Sequence, residues 1–390
     1  MRFHVLAVPH TITTKDYCAC AFTQKVLKMC AMLMRRGHTV YHYGHVDSDV
    51  ECTENVGVTD NAVLKKAYGD YDWKKEFFRH DKEDYAHQTF SMNTIIEVGK
   101  RKHKGDFLLC FWSQTMVAVA HMDLIVVEPG IGCFNRLWAP FNVFESYAVM
   151  HTVYGSMNTN PSFSDCVIPN YFDPADFEFN DKKGDYFLFL SRITKDKGLK
   201  IAVDTTRAIG AKLIIAGQGA ENYETIMGCA PEPHVTIIGY ADVGRRRKLL
   251  AGAKALIQAS HYTEPFGGCV IEANMSGTPV ITTDWGAFAE TVCHGVTGYR
   301  CRTMEQFIWA AATIGTLDPK ACREWAVQNY SMDRVVLKYE EYFKMISNTN
   351  SRREELNWLK VYQTFRPTCI CASACICASA CPLASAQQGH

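Results

Sequence analysis

The chain has 390 residues, is 47% hydrophobic, and balances 41 Lys plus Arg against 41 Asp plus Glu. That length points to two domains, and the apolar content is enough to fill their cores instead of leaving the chain disordered. Zero net charge lacks the basic excess of a nucleic-acid binder and excludes that partner class. Residues Phe3 to Val8 read as a short apolar strand running straight into a loop. They lack the charged start and long apolar core of a secretory leader, so a cytoplasmic protein is expected. The apolar run from Met116 to Val127 is broken by His121 and Asp123 and falls short of the ~20 residues that span a bilayer.

Ala21 to Arg36 predicts a helix, with Phe22, Val26, Met29, Cys30 and Leu33 on one face and Gly37 ending it. Thr39 to Tyr43 predicts a strand, Glu83 to Lys100 a helix, Asp106 to Trp112 a strand, Gln114 to Ala120 a helix and Leu124 to Val127 a strand. This alternation implies a parallel sheet covered on both faces. It breaks around Pro161 to Asp185 and restarts. Tyr186 to Leu190, Lys212 to Ala216, Val235 to Ile238, Ala255 to Gln258 and Pro279 to Thr282 read as strands, with a helix over Leu199 to Ile209. The reading is α/β, two Rossmann-like doubly wound halves over 1–170 and 184–330. A hinge lies near 170–184, with ligands expected in the cleft at the strand carboxyl ends. Ser331 to Lys360 is a long helical stretch, placed in a 331–366 segment that crosses back to brace the first domain.

Two basic runs stand out, Lys100-Arg101-Lys102-His103-Lys104 and Arg245-Arg246-Arg247-Lys248. Solvated helix ends are the first reading, and peripheral contact with a membrane or polyanion the alternative. Of 17 cysteines, twelve scatter through the body without a spacing rule and read as small buried hydrophobes. Cys369, Cys371, Cys375, Cys377 and Cys381 lie in a 367–390 tail of period six. That tail reads as disordered, with Cys-x-Cys metal binding or S-acylation as alternatives.

The second half carries the chemistry. Arg192 and Lys197 lie on the loop after the Tyr186–Leu190 strand. A forked guanidinium and a point ammonium entering a helix suit a diphosphate, though solvated surface cations are the competing reading. Gly217 and Gly219 follow the next strand and permit close backbone approach, or a plain tight turn. Gly239 and Tyr240 follow the one after and border a base site, or leave the tyrosine in the core or rim. Glu264-Pro265-Phe266-Gly267-Gly268 opens a helix whose free amides can face a phosphate or sugar hydroxyl, and Glu272 follows inside it. Glu264 can grip sugar hydroxyls and Glu272 a ribose diol. Favourable helix-end electrostatics explain an acidic residue there equally well, more so for Glu264. With 41 acidic residues such pairs also arise by chance, so the surrounding Phe-Gly-Gly and Ser276-Gly277-Thr278-Pro279 carry the signal.

The order Ser191-Arg192…Lys197-Gly198, Ala216-Gly217-Gln218-Gly219, Gly239, Ser260, Glu264-x7-Glu272, Ser276-Gly277-Thr278-Pro279 resembles the donor half of retaining glycosyltransferase family 4 (GT4), of GT-B fold. Val167-Ile168-Pro169-Asn170…Asp173 is similar to the family's segment ending the first domain. The resemblance implies a retaining sugar transfer from a nucleotide-sugar donor to a sugar-bearing acceptor. It implies catalytic Arg192 and Lys197 on the donor diphosphate, Glu264 with Gly267 and Gly268 on the transferred sugar, and Glu272 on the ribose. It implies a front-face course and no metal requirement.

The first half departs from the family. Pro9-His10-Thr11-Ile12-Thr13-Thr14-Lys15-Asp16-Tyr17 replaces a glycine-rich loop, and Val127-Glu128-Pro129-Gly130 stands where many members carry a His. Asp16, Glu128, Gly130 and His151 are the first-half cleft candidates, with a satisfied core histidine the competing reading of His151. A nucleotide-sugar-binding pseudoenzyme, an epimerase and a phosphorylase share this architecture. A dehydrogenase does not fit, since no Gly-x-Gly-x-x-Gly follows the first strand.

Overall fold

The computed structural model describes residues 1–74, 76, 84–112, 123–132 and 137–351. The helix expected over Gln114–Ala120 and the cysteine-rich tail lie outside the described residues. The first half holds β1 (Arg2–Leu6), β2 (Thr39–His45), β3 (Glu54–Thr59), β4 (Phe107–Cys110), β5 (Ile125–Ile131), β6 (Phe141–Phe144) and β7 (Cys166–Val167). They form one parallel sheet of order β3-β2-β1-β4-β5-β6-β7. Helices α1 (Ala21–Arg35), α2 (Asn61–Tyr68), α3 (Tyr85–Arg101) and α4 (Tyr147–Met157) connect its strands. The four residues of β4 are all buried. Strands buried on both faces need the continuous apolar runs seen here.

The second sheet holds β8 (Tyr186–Leu190), β9 (Lys212–Ala216), β10 (Val235–Gly239), β11 (Ala255–Gln258), β12 (Val280–Thr283) and β13 (Gly298–Cys301), in order β10-β9-β8-β11-β12-β13 and all parallel. Its helices are α5 (Leu199–Ala208), α6 (Tyr223–Met227), α7 (Val243–Gly252), α8 (Gly268–Met275), α9 (Phe288–Thr291), α10 (Met304–Thr313), α11 (Pro319–Tyr330) and α12 (Met332–Ser351). On α5, Leu199, Ala202, Val203 and Thr206 are buried, the spacing of one helix face.

The strand order reverses direction between β8 and β11. Being parallel neighbours, these two strands end side by side, so the loops leaving them open onto one crevice. This fixes where the second half can hold a ligand.

The two halves join through a paired crossing. Phe172 N donates to Tyr330 O and Met332 N to Phe172 O, both at 2.9 Å. α12 then lies on the first half: Phe343 meets Phe3 at 4.9 Å and Phe107 at 5.0 Å. On the same helix Glu340 accepts from Arg36 and His38 at 3.0 Å. The second half is therefore spliced into the chain between two segments that both contact the first.

Candidate functional site

The β8 and β11 loops meet at Lys197 and Glu264. Lys197 Nζ donates to Glu264 Oε2 at 3.0 Å and to the Tyr262 hydroxyl, and sits 4.6 Å from the Tyr262 ring centroid. Ser260 Oγ donates to the same carboxylate oxygen at 2.7 Å. Gly198 holds the loops together at φ +74°, where a Cβ would lie 2.0 Å from Ala259 O. Only glycine tolerates both that conformation and that approach. Burial pushes the Tyr262 phenol up, so it stays a neutral hydroxyl beside the ammonium. Arg192 lies exposed on the same loop, and no carboxylate among the described residues pairs with it.

Gly217 occupies φ +152°, and a Cβ there would strike Ser191 O at 1.8 Å, so the β9 loop is pressed onto the β8 loop. Gly219, at φ +88°, turns the chain into a short 3-10 segment. Gly239 ends β10 at φ +66° with open space where a side chain would be. Tyr240 reaches the first half: its hydroxyl lies 3.1 Å from Cys18 Sγ and its ring is edge-on to Trp73. Gln218 Nε2 donates to the main-chain oxygens of Trp73 and Glu76, at 2.6 and 3.2 Å.

Gly267 caps α8 at φ +75°, where a Cβ would meet the Phe288 ring at 2.5 Å. Val270 N donates to Gly267 O at 2.9 Å, which leaves the Gly268 and Cys269 amides as the first-turn donors at the start of α8. Phe266 can serve a ligand only through its main chain. Its ring is 3% exposed and packs on Phe172 and Tyr330, so its side chain belongs to the core. Glu272 is held by Arg246, whose Nε lies 2.8 Å from Oε2, with a second, shorter bond from the same guanidinium. Arg246 also donates to Cys269 Sγ at 3.3 Å. Lys28 of α1 approaches from the other half. Burial lowers its ammonium pKa, opposed by the charges of Glu272 and Asp176.

The first-half candidates do not gather at one point. Asp16 is exposed on the loop after β1. His151 is exposed on α4 beside Tyr147, not in the core as the competing reading had it. Gly130, at φ +64°, presents its carbonyl to Lys25 Nζ at 2.8 Å. Lys25 also pairs with buried Glu145, which accepts from Asn170 at 2.8 Å. Glu128 is buried and turned to the main chain, accepting from Trp138 N at 3.1 Å.

Burial raises the Glu128 pKa to about 7. For an acid the sign runs against the ionised fold. Its folded pKa exceeds its unfolded one, so stability falls as pH rises from about 4.5 to 7 and stays reduced above. Glu128→Gln is expected to melt higher than wild type at pH 8, by roughly 3 kcal/mol, and to lose most of that advantage by pH 5. Thermal unfolding at the two pH values checks this, and a pH-independent difference contradicts it.

Beyond these, Tyr17, Tyr68, Tyr71, Trp73, Asn61 and Asp70 line a cavity of about 310 Å³ in the first half. No group of three or more His, Cys, Asp or Glu side chains converges among the described residues. Nor is any described helix long and apolar enough to cross a membrane.

A family model described as "Glycosyl transferases group 1" matches residues 173–326, the segment that contains the whole of this switch-point arrangement. Residues 173–326, less than half of the chain, are similar to that family. Curated relatives include a glycogen synthase of Mycobacterium tuberculosis, 30% identical over 171 residues, or 40% of this chain and 41% of the relative. A 2-deoxystreptamine N-acetyl-D-glucosaminyltransferase of Niallia circulans is 30% identical over 189 residues, 46% of each chain. The chain thus spans less than half the length of these curated relatives. Among solved structures, AviGT4, a glycosyltransferase involved in avilamycin A biosynthesis, superimposes with TM-score 0.66 at 19% identity over 89% of this chain and 98% of its own. Anabaena Alr3699/HepE in complex with UDP-glucose gives TM-score 0.62 at 15% identity over 88% and 100%. At such identities the likeness is one of fold, and the fold is GT-B.

Within the matched segment, sequence reading missed Tyr262, Arg246 and Lys183. Arg246 was hidden in the Arg245–Lys248 run, of which Arg245, Arg247 and Lys248 are exposed as expected of a solvated helix. Its distance of four residues from buried Leu250 was the available signal for an inward face. Lys183 donates to Ser276 O at 3.0 Å and Thr278 Oγ1 at 2.9 Å, anchoring the Ser-Gly-Thr-Pro turn from below. Burial lowers its pKa to about 8.

Proposed function

We propose that this chain transfers a sugar from a nucleoside-diphosphate sugar to an acceptor hydroxyl, with retention at the anomeric carbon. The observation that carries the reading is the pairing of Lys197 with Glu264 where the β8 and β11 loops open together, with Arg192 exposed on the same β8 loop. Arg192 and Lys197 would hold the diphosphate, side-chain cations taking the part a metal plays elsewhere. Glu264, steadied by Ser260, would accept from hydroxyls of the transferred sugar. The α8 amides at Gly267–Gly268 would face the sugar or phosphate, and Glu272 would accept from the ribose diol.

In the transfer, the bond from the anomeric carbon to the phosphate oxygen breaks as the acceptor oxygen bonds the same face of that carbon. The acceptor proton passes to the departing phosphate oxygen, so no enzymic nucleophile is needed. Catalysis then rests on positioning and on neutralising charge that builds on the diphosphate. The acceptor would enter from the first half, where the aromatic cavity beside Tyr17 and Trp73 suits the flat face of a sugar ring.

The test is thermal unfolding with UDP, GDP, ADP and CMP and their common sugar conjugates. A ligand at 100 times its Kd stabilises by about 2.7 kcal/mol. A shift confined to one nucleotide family supports the reading, and no shift with any of them removes it. NMR of the product formed from the selected donor then reports whether the anomeric configuration is kept.

A further inference from the structure

The N-terminus of α4, in the first half, is held from the second half at three successive points. Ser146, its N-cap, accepts from Val149 N at 3.1 Å and donates its own proton to Pro265 O at 2.6 Å. Tyr147 N donates to Glu290 Oε2 at 2.9 Å and Ala148 N to Glu290 Oε1 at 2.8 Å. These first-turn amides have no acceptor within their own helix, and they carry the positive end of its dipole. α4 has no acidic residue in its first turn. The carboxylate that completes this helix start therefore comes from the other side of the cleft.

Both gripping groups are tied to Glu264. Pro265 is its chain neighbour. Glu290 lies on α9, entered by the 284–287 turn, in which Ala287 N donates to Glu264 O at 2.9 Å. Gly286, at φ +61°, packs so closely that a Cβ would lie 2.7 Å from Glu264 N and 3.0 Å from Glu264 O. Glu264, Pro265 and the turn that leads into α9 must move as one piece. Whatever seats Glu290 on α4 also sets Glu264 across the cleft.

We propose that Glu290 and Ser146 are positioning residues. They latch the cleft through the α4 N-terminus and thereby place Glu264 and its partner Lys197 against the transferred sugar. What is positioned rests on the sugar-transfer reading above; the latch itself does not.

Two measurements on the full chain separate these. The first is small-angle scattering without ligand. Glu290→Ala is expected to have a larger radius of gyration than wild type, and Glu290→Gln, which keeps one acceptor oxygen, an intermediate one. Identical profiles for all three overturn the latch. The second uses UDP-glucose and GDP-mannose as donors, with and without a sugar acceptor. For whichever donor wild type turns over, Glu290→Ala and Ser146→Ala are expected to lower kcat for transfer by about 10²-fold, since ångström-scale misplacement costs that much. Donor affinity should stay within about twofold, because Arg192 and Glu272 are untouched, and Ser146→Thr should recover most of the rate. Water entering the opened cleft should raise the ratio of donor hydrolysis to transfer. A lower melting temperature with normal kcat below it would mean these residues only cap α4, and overturns the positioning role. If wild type neither binds nor cleaves these or the other common donors, the sugar-transfer reading fails, and the scattering result still decides the latch.

Discussion

Replacing Lys197 with alanine is expected to lower kcat by about 10²- to 10³-fold, the loss seen when one preorganised donor to developing charge is removed. The ammonium lies between the Glu264 carboxylate at 3.0 Å and the Tyr262 hydroxyl, and its side chain is 12% exposed. Those partners hold it in place on the loop after β8. When a diphosphate leaves, charge gathers on its oxygens, and a cation already held there acts without reorganisation. The effect therefore falls on kcat more than on donor KM, because the interaction strengthens in the transition state.

The pair also contributes to stability, and the two roles can be separated. Glu264 retains the Ser260 hydroxyl at 2.7 Å after the substitution, and the two paired side chains are 12% and 11% exposed, so neither is fully buried. The stability loss should be about 1–2 kcal/mol, below the 3–5 kcal/mol of a broken fully buried pair. Lys197→Met, which keeps the aliphatic stem, should recover packing without recovering rate. A large drop in melting temperature with normal specific activity would make the pair structural and remove Lys197 from the chemistry.

Most of the second sheet was legible in the sequence because strands such as β8 and β9 are short apolar runs closely followed by a cation or a glycine, whereas β13, Gly-Tyr-Arg-Cys, has no such pattern and was not read. β8, β9 and β11 match the expected bounds residue for residue. The first half was harder. β3 reads Glu-Asn-Val-Gly-Val-Thr and lies at a sheet edge, β6 contains Asn142, and β7 has two residues. Edge strands need no continuous apolar run, so their pattern fades into the loops.

The same logic divides the site residues. Arg192, Lys197, Gly217 and Glu264 announce themselves because each follows a readable strand. Arg246 and Glu290 do not, because their partners lie on other elements and, for Glu290, in the other half of the chain. The ring of Phe266 is a case the sequence left open. Its place beside two glycines suggested a ligand, while an aromatic ring at a helix start is equally well buried against the crossing at Phe172 and Tyr330. Local sequence encodes which strand ends carry polar groups; it does not encode which of them the domain arrangement brings together.

Glu272→Ala is expected to weaken binding of the nucleoside diphosphate selected by the melting panel by about 10²-fold. Two hydrogen bonds from a ribose diol to a carboxylate, at roughly 1.5 kcal/mol or more each, account for that loss. The carboxylate has room for both diol and arginine, since an ionised carboxylate offers about four acceptor positions and Arg246 engages one oxygen. Inorganic pyrophosphate, which has no ribose, should bind wild type and variant alike. A 2′-deoxynucleoside diphosphate, which keeps only the 3′-hydroxyl, should bind wild type less tightly than its ribo form and lose less than the ribo form on Glu272→Ala. Arg246, about a quarter exposed and aimed at the same oxygen, then acts through Glu272 by holding it in place. Arg246→Ala alone should cost about tenfold. The double variant should bind no more weakly than Glu272→Ala, because the group Arg246 orients is already gone. Additive losses would instead mean that the guanidinium meets the ligand itself. Equal loss of pyrophosphate affinity in Glu272→Ala would move that residue off the ribose, leaving its bond to Arg246 as a tie between α7 and α8.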